Sequence, residues 1–67
     1  MSKYDWSKVP AEINWIATDK DGFARGHKKE PVIDHPREWH SDQYYDYPII
    51  GIGYKGNWKD SLEERPK

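Results

Sequence analysis

Apolar and polar positions alternate along this chain in short bursts, the two-residue period of a strand rather than the longer period of a helix. The first burst is Ile13-Asn14-Trp15-Ile16-Ala17-Thr18, rich in β-branched and aromatic residues, and it predicts a strand ending at Asp19. Asp19-Lys20-Asp21-Gly22 then fits a type I turn with Gly22 in the left-handed region, the common hairpin loop closed by a bulge. Phe23 to Lys29 is the return strand. Pairing Asp19 with Phe23 fixes the register, so Ala17 faces Arg25, Ile16 faces Gly26 and Trp15 faces His27.

That register gives the hairpin two unlike faces. One carries Ile13, Trp15, Ala17, Phe23, Arg25, His27 and Lys29. On it, Trp15 is expected to lie under the stems or cations of Arg25 and Lys29. The other carries Asn14, Ile16, Thr18, Ala24, Gly26 and Lys28, where Ala24 and Gly26 leave room for a bulky group such as Trp58 or Trp39. Periodicity does not choose between them as the main core, and both can be covered.

Further along, Pro31-Val32-Ile33-Asp34 reads as a short third strand ended by Pro36. Arg37 to Tyr47 suits a helical or an extended path equally well. Pro48 to Tyr54 is a strand with Ile50, Ile52 and Tyr54 on one face, and Gly51 and Gly53 on the other mark the close approach of something large. Asn57 can cap a short helix over Trp58 to Arg65, with Trp58 and Leu62 a turn apart and Pro66 ending it. The expected architecture is mainly β or small α+β. It is an antiparallel sheet of three to four strands with one or two short helical segments, in a single domain over residues 1–67.

Size changes this picture by restricting the core. A 67-residue chain buries only ~60% of the surface that its unfolded form exposes. The burden falls on Trp6, Trp15, Trp39, Trp58 and Phe23, with Val9, Ile13, Ile16, Val32, Ile33, Ile49, Ile50, Ile52 and Leu62. The chain has no cysteine, which excludes a disulfide framework and thiolate zinc sites. No apolar run approaches the ~20 residues that span a bilayer, and the first residues lack the apolar stretch of a signal peptide, so a cytoplasmic protein is expected. The formal net charge is −1 with interleaved signs, neither the basic face of a typical nucleic-acid binder nor the acidity of a DNA mimic.

Candidate chemistry is sparse. Asp19-x-Asp21-Gly22 resembles the start of a calcium loop, but Phe23 and Arg25 stand where further oxygen ligands belong, so a structural turn is the better reading. His27, Asp34, His35, Glu38 and His40 are metal-capable types, yet Pro36 breaks the helix that zinc-protease spacing requires. Without cysteine or a glycine-rich elbow, nucleophilic catalysis has no visible apparatus, and Gly51 to Gly56 lacks the ending of a phosphate loop. No enzyme activity, metal or cofactor is expected.

The richest segment is Trp39 to Pro48. Its aromatic and acidic residues resemble a protein-binding surface, which points to Trp39, Asp42, Tyr44, Tyr45, Asp46 and Tyr47. The alternative is that these tyrosines complete a small core. Successive side chains of an extended chain point to opposite sides, so not all three can point inward. A nucleic-acid interface would instead use Trp15, Arg25, His27, Lys28 and Lys29.

Two stretches, Trp6 to Gly22 and Asn57 to Pro66, carry the patterns Trp-x-x-Val-Pro, Trp-Ile-Ala-x-Asp-x-Asp-Gly and Trp-x-x-Ser-Leu-x-x-Arg-Pro. In them the chain resembles small uncharacterised proteins encoded by tailed phages and prophages. The resemblance covers under half the chain and brings no catalytic residues with it. It implies a phage-encoded accessory protein acting in the bacterial cytoplasm, and with the Tyr-rich acidic segment the expected function is a non-catalytic protein that binds and modulates a host protein. A small nucleic-acid-binding module and a minor virion or assembly component are the alternatives.

Overall fold

The structure, a computed structural model, describes residues 2–41 and 48–66. Its frame is a four-stranded antiparallel sheet in the order β3-β2-β1-β4, with β1 at Trp15–Thr18, β2 at Phe23–His27, β3 at Ile49–Ile52 and β4 at Glu63–Glu64. Two 3-10 turns, Trp6–Lys8 and Trp58–Asp60, flank it.

The β1–β2 hairpin forms in the expected register, Trp15 opposite His27 and Thr18 opposite Ala24. The Asp19 amide donates to the Phe23 carbonyl (3.1 Å) and the Gly22 amide to the Asp19 carbonyl (2.9 Å). Gly22 has φ +92°, where a Cβ would be strained.

The core lies on the face of Ile16 and Ala24. Val9 and Ile13 join them, and Tyr4, Trp6 and Ile50 pack around the edge. Ile13 therefore departs from the expected face. It precedes β1, outside the alternation, and its side chain fills the space over Gly26 that was expected to receive Trp58 or Trp39. Gly53 is the site of close approach, because a Cβ there would collide with the Thr18 side chain and the Gly22 carbonyl.

Three further expectations are corrected. The Pro31 to Asp34 segment makes only an isolated bridge, with Val32 and His40 exchanging backbone bonds of 2.7 and 2.8 Å. Among the presumed core residues, Phe23, Val32, Ile33, Ile49 and Ile52 are exposed. The C-terminal helix stops after one 3-10 turn. Asn57 caps as expected, its Oδ1 accepting from the Lys59 amide (3.0 Å). The buried Ser61 hydroxyl then accepts the Thr18 amide (2.8 Å) and donates to the Trp58 carbonyl (2.6 Å), pinning the chain to β1. From there Glu63 pairs with Ile16 and Glu64 with Trp15, so the stretch expected to be helical becomes the edge strand β4.

Side chains lock this edge to the amino-terminal segment. Trp6 Nε1 donates to Glu63 Oε1 (2.7 Å), and the Lys3 amide donates to Glu63 Oε2 (3.0 Å). Arg65 donates to the carbonyls of Ile13 (2.9 and 2.7 Å) and Pro10 (2.7 Å), with its guanidinium 4.9 Å from the centre of the Trp6 ring. Tyr4 donates to the Ser61 carbonyl (2.7 Å) and sits 2.8 Å from the Thr18 hydroxyl, which in turn accepts the Tyr54 amide (2.8 Å).

Candidate protein-binding edge

The register of β3 against β2 slips between Ala24 and Arg25. Ala24 faces Gly51 but Arg25 faces Ile49, so Ile50 is the extra residue of a β-bulge. A regular strand would place Ile50 and Ile52 on one face. The bulge instead sends Ile50 into the core, while Ile49 and Ile52 sit opposite Arg25 and Phe23 on the other face. Gly51, beside the bulge, has φ +155°, a value that disfavours a side chain.

The result is an apolar strip on an edge strand. Phe23 is 45% exposed, Ile49 56% and Ile52 87%. Beside the same strand is a hollow of about 340 Å³ lined by Val9, Pro10, Pro48, Ile49 and Ile50 together with the charged Asp5 and Lys8. A smaller one of about 180 Å³ lies between Pro10, Ile13, Gly26 and Pro48. The opposite edge, β4, carries Glu63 and Glu64 and is followed by Arg65. One edge of the sheet is charged and the other apolar.

The hairpin turn is committed to folding. Asp19 accepts the Trp39 amide (2.9 Å) through Oδ1 and Arg25 Nε (2.8 Å) through Oδ2. Asp21 accepts the Phe23 amide (3.0 Å) through Oδ1 and Arg25 Nη2 (3.2 Å) through Oδ2. All four carboxylate oxygens thus take donors from the chain itself. Burial pushes the Asp19 carboxyl up, opposed by the Trp39 amide and Arg25.

The histidine-bearing loop is an ion cluster rather than a set of converging ligands. His40 places Nδ1 3.0 Å from Asp34 and Nε2 2.9 Å from Glu38, with the His35 ring 5.5 Å away. The Glu38 hydrogen bond, reinforced by the Asp34 charge, raises the His40 pKa. No group of three or more potential ligands is present among the described residues.

His27 is closed from solvent, 1% exposed, and burial, aided by the nearby His40 and Arg25, lowers its pKa to about 4. Ser41 Oγ lies 3.3 Å from His27 Nδ1, near the spacing of a nucleophile and its base. The burial that lowers the His27 pKa also weakens it as a base at neutral pH.

The residues expected to bind nucleic acid do not make one open basic face. Arg25 bridges Asp19 and Asp21, His27 is buried, Trp15 is half-buried, and Lys28 and Lys29 are exposed. Of the expected protein-binding set, Trp39 is 7% exposed and donates its indole N–H to the Trp58 carbonyl (3.2 Å). Asp42, Tyr44, Tyr45, Asp46 and Tyr47 lie outside the described residues. The strip of Phe23, Ile49 and Ile52 was missed because strict alternation assigns Ile52 to the side of Ile50; the glycine between them was the available sign of a bulge.

Fold and edge together define a small antiparallel β domain whose β3 edge exposes apolar side chains among the described residues. Comparison with family models, curated proteins and solved structures finds no match. Among the described residues, no helix is long and apolar enough to cross a membrane.

Proposed function

We propose that this chain is a non-catalytic protein-binding module whose contact surface is the β3 edge. The observation that carries the reading is the exposed strip of Phe23, Ile49 and Ile52 on an edge strand. An edge strand can pair with a strand of another chain, and exposed apolar patches mark interaction sites. The tyrosine-rich acidic segment immediately precedes Pro48 and β3 in the sequence. Taken with the resemblance to phage-encoded proteins, the setting is an accessory factor that binds and modulates a host protein in the bacterial cytoplasm. Two alternatives are weaker. A nucleic-acid module would rest on Lys28 and Lys29 alone, and a virion component would need a repeated contact.

The test is cross-linking capture from bacterial lysate with the wild-type protein and with the folded Ile52→Asp and Phe23→Ala variants. Loss of a stoichiometric protein adduct in both variants supports the reading. Capture unchanged in both, but abolished by nuclease or by reversing Lys28 and Lys29, refutes it in favour of nucleic acid.

A further inference from the structure

We infer that the partner reaches this site with an extended, uncharged apolar strand that adds to the outer edge of β3; this rests on the protein-binding reading above. β3 is the last strand of the sheet, and its inner side is marked by bonds from Gly26 N–H to the Pro48 carbonyl (3.0 Å) and from Gly53 N–H to the Gly22 carbonyl (2.8 Å). Successive amides of a strand point to opposite sides, so the Ile52 amide, one residue before Gly53, points away from β2. An incoming strand that pairs there sends its own side chains alternately to the two faces.

The two sides differ: one is apolar and the other is of mixed polarity. One side offers Phe23, Ile49 and Ile52. The other offers the hollow of about 340 Å³ over Val9, Pro10, Pro48 and Ile50. Its charges of opposite sign, Asp5 and Lys8, give no net preference for a charged guest. A second copy laid edge to edge would bury mainly the exposed strip. That is on the order of 350 Å² per chain, against ~800 Å² per partner in a standard stable interface. The charged residues of β4 make the other edge unsuited to the same guest.

A random dodecapeptide display library, selected on the immobilised full chain with Ile52→Asp as counter-selection, supplies the probe. Selected peptides are expected to carry apolar residues at alternate positions. Methylation of single peptide amides should weaken binding at least tenfold at every second position and under twofold between them. The Ile52 amide should exchange at least tenfold more slowly in the complex, and raising salt from 50 to 500 mM should change Kd less than twofold. Peptides with helical spacing and no two-residue methylation pattern overturn strand addition while leaving the protein-binding reading intact. Failure to enrich any sequence overturns it, as does self-association of the chain at 100 µM in sedimentation. Peptides that bind wild type and Ile49→Asp equally overturn the site itself.

Discussion

Removing the Arg65 guanidinium tests how the fold is closed. Arg65 ties the chain after β4 to the Pro10–Ile13 turn through bonds of 2.7–2.9 Å to two carbonyls, and it lies over Trp6. Hydrogen bonds from a charged donor contribute ~1.5–3 kcal/mol each when well desolvated. These are partly solvated and share one side chain, so we treat the fork as a single unit near the middle of that range. A half-exposed cation over an indole adds ~0.5–1 kcal/mol. Arg65→Ala should therefore cost about 3 kcal/mol. A domain of this length has on the order of 3–10 kcal/mol in total, so the variant should be visibly marginal. Arg65→Lys keeps the charge but not the planar fork and should lose about 1–2 kcal/mol. Urea denaturation followed by tryptophan fluorescence reads both, with the denaturant slope checked for two-state behaviour. A loss below about 0.5 kcal/mol for Arg65→Ala would refute the clamp, and equal losses for Ala and Lys would refute the part assigned to its fork.

The other predictions concern the turn, the two tryptophans and the buried histidine. Gly22→Ala meets no atom within 4 Å and should lose only the ~1 kcal/mol of its left-handed backbone, whereas Gly53→Ala, which collides with Thr18 and the Gly22 carbonyl, should lose distinctly more in the same urea assay. Calcium should not move the melting temperature, because the Asp19 and Asp21 oxygens already have internal donors; a clear rise would contradict this. Trp39→Ala should cost ~3–5 kcal/mol as a buried aromatic, and Trp58→Ala less than about 2 kcal/mol. The contribution of Trp58 comes largely through its carbonyl, which takes Trp39 Nε1, the Ser61 amide and the Ser61 hydroxyl and survives the substitution. His27 has a folded pKa lowered to about 4 from 6.5, so below 6.5 the unfolded chain binds a proton that the folded one refuses. Stability should fall as pH drops from about 6.5 to 4, by at most about 3 kcal/mol, and His27→Gln should flatten that dependence. His40 works in the opposite sense, its raised value adding stability below 6.5 that is lost as pH rises through it. Imidazole resonances followed by NMR titration separate the two.

Local chemistry explains which parts were readable from the residues. The Asp-x-Asp-Gly turn sets hairpin register by backbone geometry alone, so each pairing from Trp15–His27 to Thr18–Ala24 followed from it. β3 was readable from its isoleucines, but not its phase, because a bulge changes side-chain direction without changing composition. β4 was not readable at all. Two glutamates have weak strand preference, and Trp6, Lys3, Ser61 and Arg65 hold them in place by contacts from distant parts of the sequence. Ile13 misled for a related reason: it belongs to the turn before β1 and follows packing rather than alternation. As for the binding site, a strip made by a bulge and an edge exists only once the sheet is assembled.

The Glu63–Arg65 lock also orders events during synthesis. The β1–β2 hairpin needs only residues 15–27 and can pair as soon as they leave the ribosome. Its β1 side has no partner strand until Glu63 and Glu64 have been made, and the Pro10–Ile13 carbonyls wait for Arg65. Contacts this remote in sequence carry the loop-closure cost of nearly the whole chain before they return any stability. The nascent hairpin therefore emerges with both edges open, the β2 edge that β3 later covers and the β1 edge that β4 later covers. Ribosome-bound chains stalled before residue 63 are consequently the form most exposed to unintended strand pairing.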